Sequence, residues 1–168
     1  LTEKSTGVTF APKLHERSYL VGVGVRKKSF INIYAVAMYA SPKVIQTISA
    51  FSKAEQQNDA RIALRDAART FHSPSEITSF ILSMVYKADA KTIAAAISDS
   101  VKSRYTGPVA NIEKLESLIS QGVQGKGGYA TKGTTLQFDC SAPGVTVSVD
   151  GNDQGEVLCD TIGGAFFD

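Results

Sequence analysis

Apolar and polar positions alternate over the first forty residues, as they do in strands. SYLVGVGVRKK (residues 18–28) and FINIYAVAMYA (residues 30–40) are rich in β-forming residues and meet at a short polar break. Before them, GVTFAPKL (residues 7–14) alternates weakly and contains a proline, which an edge strand tolerates. The pattern therefore predicts an edge strand followed by a β-hairpin.

From residue 41 the apolar spacing becomes helical. SPKVIQTISAFSKAEQQNDA (residues 41–60) carries apolar side chains one, three and three positions apart, which predicts a short helix outside the sheet. RIALRDAARTF (residues 61–71) fits either element. We favour a strand there because HSPSE (residues 72–76) supplies a sharp stop and a new helix cap.

Caps and apolar stripes predict three more helices. The first begins at Ser75, the second begins at Asp89, and the third covers residues 111–123 and stops at Gly122. The apolar stripe of the first consists of Ile77, Phe80, Ile81, Met84 and Val85.

The last part of the chain returns to strands. TTLQFDC (residues 134–140) and VTVSVDG (residues 145–151) are joined by SAPG, which is suited to a tight turn. Strands, a helical middle and strands again are typical of an α+β protein. We therefore predict a large antiparallel sheet with helices packed on one face, an open-faced β-sandwich, in a single domain over residues 1–168.

Composition and charge exclude several classes of protein. The 168 residues are 43% hydrophobic and 20% charged, enough for a sizeable core, and a net charge of +2 is too small for a nucleic-acid surface. No run approaches the roughly 20 apolar residues of a membrane-spanning helix. The chain begins at Leu1 rather than Met and ends just after an apolar pair, so we expect the natural protein to extend at both ends.

Familiar catalytic and metal motifs are missing from the sequence. GVGVRKK contains G-x-G without the rest of a dinucleotide loop, and there is no P-loop or serine elbow. Cys140 and Cys159 lack zinc-site spacing, and we expect free thiols rather than a disulfide. His15 and His72 suit a surface position, although His72 is the better site candidate of the two. We expect neither a metal nor a cofactor.

Alternation gives the first hairpin strand two unlike faces. Gly22, Gly24 and Arg26 share one face, and the valines between them share the other. Glycines in a strand often mark the close approach of a ligand or a backbone, so this face is a shallow trough that ends in a guanidinium. An arginine buried there needs a partner, and the sequence leaves open whether it is an internal carboxylate or a ligand anion.

The second hairpin strand can add another donor. Tyr34, Val36 and Met38 share one face of it, and Tyr39 lies on the other. A tyrosine hydroxyl beside Arg26 can donate to the same oxyanion. The alternative is that both tyrosines are core aromatics whose hydroxyls reach the edge of the sheet.

These residues resemble a known family. YLVGVGVRKKSFINIYAVAMYA is similar to the glycine-arginine hairpin of the chalcone isomerase fold, most closely in its non-catalytic branch, which includes plastid fatty-acid-binding proteins. SEITSFILSMVYK and DAKTIAAAISDSVKSRY resemble that family's two cleft helices, and GTTLQFDCSAPGVTVSVDGNDQGEV (residues 133–157) with the terminal FFD resembles its closing hairpin. The resemblance covers about residues 18–168 and implies that a ligand lies between the sheet and the helices.

The resemblance also bears on catalysis. In the family's enzymes the hairpin arginine, a threonine on the second strand, and a tyrosine and an asparagine on the first cleft helix form the site. Arg26 matches the arginine and Tyr34 stands at the threonine position, whereas Pro74 and Ile81 fall at the tyrosine and asparagine positions. Neither replacement can donate a hydrogen bond to a phenolate or enolate, so we expect no chalcone isomerase activity.

The same departures make the implied cleft more apolar. The resemblance then implies a non-enzymatic protein that holds a long-chain fatty acid, with its carboxylate at Arg26 and Tyr34 and with buried methylenes worth about 0.8 kcal/mol each. Further candidate ligand contacts, each of which also fits an ordinary core or surface position, are Met38, Tyr39, His72, Phe80, Ile81 and Met84.

Two other functions remain open at this point. One is an isomerase or lyase that acts on another small carbonyl compound through Arg26, Tyr34 and His72. The other is an auxiliary protein that binds a protein partner and needs no open cleft. The sequence gives no chain length, oligomeric state or compartment, and a plastid location is implied by the resemblance alone.

Overall fold

The computed structural model describes residues 1–49, 76–159 and 161–166, and within those ranges the fold is built around one large sheet. The strands are β1 Lys13–His15, β2 Ser18–Lys28, β3 Ile31–Ala40, β4 Thr78–Met84, β5 Ala88–Asp89, β6 Tyr129–Ala130, β7 Thr135–Ser141, β8 Gly144–Val149 and β9 Asn152–Leu158. The helices are α1 Pro42–Ser49, α2 Ala90–Lys102 and α3 Val109–Gln124, and a 3-10 turn covers Gly163–Phe166.

The large sheet is antiparallel throughout. Its strand order is β1-β2-β3-β4-β7-β8-β9, and β5 and β6 form a separate two-stranded pair. The predicted hairpins β2–β3 and β7–β8 are both present. Because α2 packs against α3 and α3 lies on β8 and β9, the helices cover one face of the sheet, as the α+β prediction requires.

The two faces of the sheet are covered by different parts of the chain. On the helix-covered face, Gly24, Val36 and Leu82 are register partners in one row across β2, β3 and β4. On the opposite face, Ala37 and Tyr39 are buried in a small core together with Phe10 from the N-terminal segment. The direction in which a β3 side chain points therefore decides whether it meets the helices or the N-terminal segment.

The α2 helix begins where its cap predicts. The Asp89 carboxylate accepts hydrogen bonds from the Thr92 backbone N–H at 2.9 Å and from the Thr92 hydroxyl at 2.7 Å. These hydrogen bonds lower the pKa of Asp89 because they stabilise the charged carboxylate. Ile93, Ile97 and Val101 are buried at the predicted spacing of four residues.

The helix predicted to begin at Ser75 is wrong, because residues 78–84 form the strand β4. This strand lies between β3 and β7, and both of its faces are covered. Phe80, Leu82 and Met84 face the helices, whereas Ile81 packs in the opposite core. The second face carries Ser79 and Ser83 beside Ile81, so the strand does alternate. Ile81 together with Ile77 and Val85, which flank the strand, adds helical spacing to the apolar residues and led to the wrong prediction.

The role predicted for Gly122 is also wrong, because α3 continues to Gln124. Gly122 is buried on the sheet side of the helix, and a Cβ placed there collides with the side chains of Val149 and Gln154. The glycine therefore permits α3 to approach β8 and β9 closely instead of ending the helix.

Other predictions have mixed outcomes. The edge strand predicted over residues 7–14 is shorter and begins at Lys13, although Thr9 forms an isolated bridge with Thr2. Both cysteines are free, and the strand predicted over residues 61–71 lies outside the described residues. Among the described helices, none combines the length and apolar character needed to cross a bilayer.

Candidate functional site

Two adjoining cavities lie between α2 and the strands β2 to β4. The cavity beside the 3-10 turn, which we call the inner cavity, has a volume of about 360 Å³, and the cavity beside the end of the β2–β3 hairpin, which we call the outer cavity, has a volume of about 700 Å³. Both are lined by Arg26 from β2, Tyr34 from β3 and Ser100 from α2. These three residues therefore form the boundary at which the cavities meet.

The inner cavity is mainly apolar. Its aromatic wall is built by Phe80 and Phe138, which are register partners on β4 and β7, and by Phe166 from the 3-10 turn. The ring of Phe166 lies 6.1 Å from that of Phe80 and 5.1 Å from that of Phe138, centroid to centroid. The aliphatic part of the lining consists of Val25, Val36, Leu82, Ile97, Val101 and Ala165.

The outer cavity is also mainly apolar, and most of its charged residues are basic. Its lining includes Arg26 and three lysines, against the two carboxylates of Asp89 and Asp99. The carboxylate of Asp89 already caps α2, as described above. The lysines are Lys27, Lys28 and Lys87, and the tyrosines beside them are Tyr34, Tyr86 and Tyr129. Within the described ranges, no group of three His, Cys, Asp or Glu side chains is placed to hold a metal ion.

Arg26 and Tyr34 are neighbours because of the hairpin register. They face each other directly across β2 and β3, and Met84 on β4 continues the same row. Arg26 is exposed, and among the described residues it forms no hydrogen bond or ion pair. The internal carboxylate that we considered as its partner is therefore not seen, and the guanidinium is available to a ligand.

The Tyr34 hydroxyl is influenced by the positive charges of two guanidinium groups. Burial raises the pKa of Tyr34, and the positive charges of Arg26 and Arg104 partly oppose that rise. The hydroxyl consequently stays protonated near neutral pH and can donate a hydrogen bond. Among the described residues it has no hydrogen-bond partner.

Arg104 is a site residue that the sequence analysis missed. It follows α2, and its guanidinium donates to the Ala165 carbonyl at 2.9 Å and to the Ser100 Oγ at 3.1 Å. These hydrogen bonds fix the guanidinium at the wall of the inner cavity. The only sequence signal was an arginine four residues after Ser100, just beyond the end of α2, and its meaning depends on where α2 packs.

The other predicted contacts are divided between several places. Phe80 lines the inner cavity, whereas Met38 and Met84 lie on the same face of the sheet without lining either cavity. Tyr39 and Ile81 are on the opposite face, where the Tyr39 hydroxyl donates to the Ala11 carbonyl at 2.9 Å. His72 lies outside the described residues.

The correspondence drawn between this chain and the first cleft helix of the enzymes is also wrong. Ile81 is on a strand and points away from both cavities, so it does not occupy the asparagine position of a cleft helix. Pro74 lies outside the described residues. The argument against catalysis that rested on these two residues therefore has no support.

Comparison with solved structures identifies the fold. A fatty-acid binding protein from Arabidopsis thaliana matches with a TM-score of 0.75 and 22% sequence identity, over 100% of this chain and 86% of that chain. Neither the protein-family models nor the curated proteins contain a match to the sequence. At this identity the likeness shows the fold, which is the chalcone isomerase-like open-faced sandwich that the hairpin resembled.

Proposed function

We propose that this protein binds a fatty acid, with the acyl chain in the inner cavity and the carboxylate held by Arg26 and Tyr34. One observation carries the proposal. The polar side chains that line the inner cavity, Arg26, Tyr34, Ser100 and Arg104, are neighbours, while the rest of its lining is apolar. This arrangement matches a ligand with one charged end and a long apolar body.

The apolar body supplies most of the expected affinity. Each methylene that moves from water into an apolar site contributes about 0.8 kcal/mol, which is roughly a fourfold gain in affinity. The aromatic wall of Phe80, Phe138 and Phe166 offers the surface for this burial. The volume of about 360 Å³ lies within the ordinary range for small-molecule sites.

The charged end fixes the orientation of the ligand. A guanidinium can bind both oxygens of a carboxylate, and hydrogen bonds to charged groups are stronger than those between neutral groups. Tyr34 adds a neutral donor, since its hydroxyl stays protonated. Because Arg26 is exposed and screened by solvent, we expect its contribution to lie near the lower end of about 1.5–3 kcal/mol.

The comparison with the Arabidopsis fatty-acid binding protein agrees with this proposal at the level of the fold. The cavities also favour a small-molecule ligand over an auxiliary role that needs no open cleft. One observation keeps a second candidate function: a protonated tyrosine opposite Arg26, in a cavity wall that also holds Arg104, can polarise a carbonyl. Turnover of a chalcone or a related ketone above its spontaneous rate would support that isomerase activity.

The experiment is calorimetric titration of delipidated protein with saturated fatty acids of increasing length. We expect affinity to rise about fourfold with each methylene until the inner cavity is filled, and then to level off. Arg26→Ala should weaken binding by about tenfold or more. The matched control is Arg17→Ala, an exposed arginine in the turn between β1 and β2.

Two results would reject the proposal. One is a delipidated, folded protein that takes up no fatty acid of any length. The other is an equal loss of affinity in Arg26→Ala and Arg17→Ala, because a general charge effect would then explain the result.

A further inference from the structure

Large apolar side chains are exposed together at one end of the molecule. Of the eight large hydrophobic residues that are exposed in the described part of the chain, four lie there. These four, which we call the apolar tip, are Phe30, Ile31, Tyr86 and Tyr129. Single exposed apolar residues are ordinary on protein surfaces, but a group at one end marks an interaction surface.

Two members of the apolar tip, Phe30 and Ile31, lie in the β2–β3 hairpin. Phe30 is fully exposed in the two-residue connection between the long strands β2 and β3, where Ser29 adopts a φ of 54°. Ile31, which opens β3, is 46% exposed. The hairpin therefore presents two neighbouring apolar side chains to solvent instead of folding them onto the core.

The other two members of the tip are tied to the same end of the sheet. The backbone N–H of Tyr86 donates to the Ile33 carbonyl at 3.2 Å, which places it beside the start of β3. Tyr129 pairs with Asp89, and the Lys87 ammonium lies 4.1 Å from the centroid of the Tyr129 ring. Tyrosine has an apolar ring and a polar hydroxyl, which suits the boundary between water and lipid.

Basic side chains surround the apolar tip. Lys27 and Lys28 precede Phe30 on β2, and Lys87 follows Tyr86. Lys132 is exposed in the loop before β7, which is joined to the end of β4 by the hydrogen bond from Gly133 N–H to the Met84 carbonyl. These four lysines outnumber the nearby carboxylates of Asp89 and Asp99. The local charge is therefore positive, although the whole chain carries only +2.

We propose that this end of the molecule docks on the surface of an anionic lipid bilayer. Phe30 and Ile31 enter the boundary between headgroups and acyl chains, and the lysines meet the phosphate groups. Charge complementarity selects this partner, because apolar side chains ringed by lysines match an apolar layer covered by anions. The proposal does not depend on which ligand the inner cavity holds.

The outer cavity lies beside the docking surface. Lys27, Lys28, Tyr86, Lys87 and Tyr129 belong both to the docking surface and to the lining of that cavity. A docked molecule therefore presents the outer cavity to the bilayer. An amphiphile can then pass between membrane and protein with less exposure to water.

The chain contains no tryptophan, so a single introduced indole reports on its own surroundings. Phe30→Trp is compared with Leu158→Trp, since Leu158 is 63% exposed on the edge strand β9. Each variant of the full chain is mixed with vesicles of phosphatidylcholine, alone or with phosphatidylglycerol. We expect a blue shift and protection from aqueous quenchers for Phe30→Trp with the anionic vesicles, and neither change for Leu158→Trp.

A charge-reversal pair tests the lysines by vesicle co-sedimentation. Each basic residue near an anionic surface contributes about a fivefold gain in partitioning, so Lys27→Glu with Lys28→Glu should weaken binding by more than tenfold. Lys102→Glu with Lys114→Glu, two exposed lysines on helices, should change it by less than about threefold. High salt should weaken binding of the unmodified chain.

Three results would overturn the proposal. They are equal shifts for the two tryptophan variants, no shift with any vesicle, and a Phe30→Trp shift that appears with protein concentration in the absence of vesicles. The last would identify a second copy of the chain as the occupant of the tip. Fatty-acid titration of the same variants without vesicles tests the proposed function separately, because a variant can fail to dock on vesicles and still bind fatty acid in solution.

Discussion

Two tyrosines on one strand show how differently the two faces of the sheet are used. Tyr34 and Tyr39 lie five positions apart on β3 and point to opposite faces. The Tyr39 ring is buried, and its hydroxyl donates to the Ala11 carbonyl, which ties the N-terminal segment to the sheet. The Tyr34 hydroxyl stands beside Arg26 and Arg104 at the wall of two cavities. The hydroxyl of Tyr39 is therefore satisfied within the protein, and the hydroxyl of Tyr34 is a donor that is available to a ligand.

The largest expected effect comes from filling the trough beside Arg26. A Cβ on Gly24 meets the Val36 Cγ1 at 3.6 Å, an ordinary contact, so a side chain can be added on the helix-covered face. Gly24→Phe should fill the inner cavity and weaken fatty-acid binding by about a hundredfold or more, while the folded state persists. The measurements are calorimetric titration and thermal unfolding.

Gly24→Ala is the matched control, because one methyl group leaves most of the inner cavity open. It should change affinity by no more than about threefold. Binding that survives Gly24→Phe in a folded protein would place the acyl chain elsewhere.

The two tyrosines give the next largest effects, with opposite outcomes. Tyr34→Phe should weaken fatty-acid binding by about tenfold, the lower end of the value of a hydrogen bond to a charged group, and leave the free energy of unfolding nearly unchanged. Tyr39→Phe should lower the free energy of unfolding by about 0.5–1 kcal/mol, because the bond to Ala11 is lost, and leave binding unchanged. Loss of binding in Tyr39→Phe alone would reverse the roles of the two faces.

The smallest expected effect is on the pH dependence. Burial raises the pKa of both tyrosines above the ordinary value of 10.0, so the folded state favours the neutral hydroxyl. This contribution to stability is complete below pH 10 and is lost as the pH rises through the folded-state pKa. As the pH is raised from neutral to alkaline, the free energy of unfolding should therefore fall less in either Phe variant than in the unmodified protein. Fatty-acid affinity should fall with ionisation of Tyr34, and a fall of equal size in Tyr34→Phe would contradict that assignment.

Much of the fold could be predicted from local rules. Alternation with glycines identified β2 and β3, and the cap at Asp89 followed by apolar residues four apart identified α2. The strand β4 was missed because Ile77, Phe80, Ile81, Met84 and Val85 have helical spacing, although Ser79 and Ser83 alternate with the apolar residues of the strand, and because its neighbours β3 and β7 are distant in sequence. Gly122 was misread because its role depends on the side chains of Val149 and Gln154.

The site was predictable where it depends on the hairpin. Alternation placed Arg26 on the face of Gly22 and Gly24, the family resemblance paired it with Tyr34, and the register places the two residues opposite each other. The contributions of Ser100 and Arg104 depend on how α2 packs across the sheet, for which the sequence has no local signal. Ile81 was assigned to the site because a helix was expected where the chain forms a strand.

The most direct measurement of the central claim is a thermodynamic cycle between Arg26 and the ligand carboxylate. A fatty acid and the alcohol of the same chain length are each titrated into the unmodified protein and into Arg26→Ala. If the guanidinium holds the carboxylate, the substitution weakens acid binding by about tenfold or more and alcohol binding by less than about twofold. Equal losses for the two ligands, or no loss for either, would contradict the account.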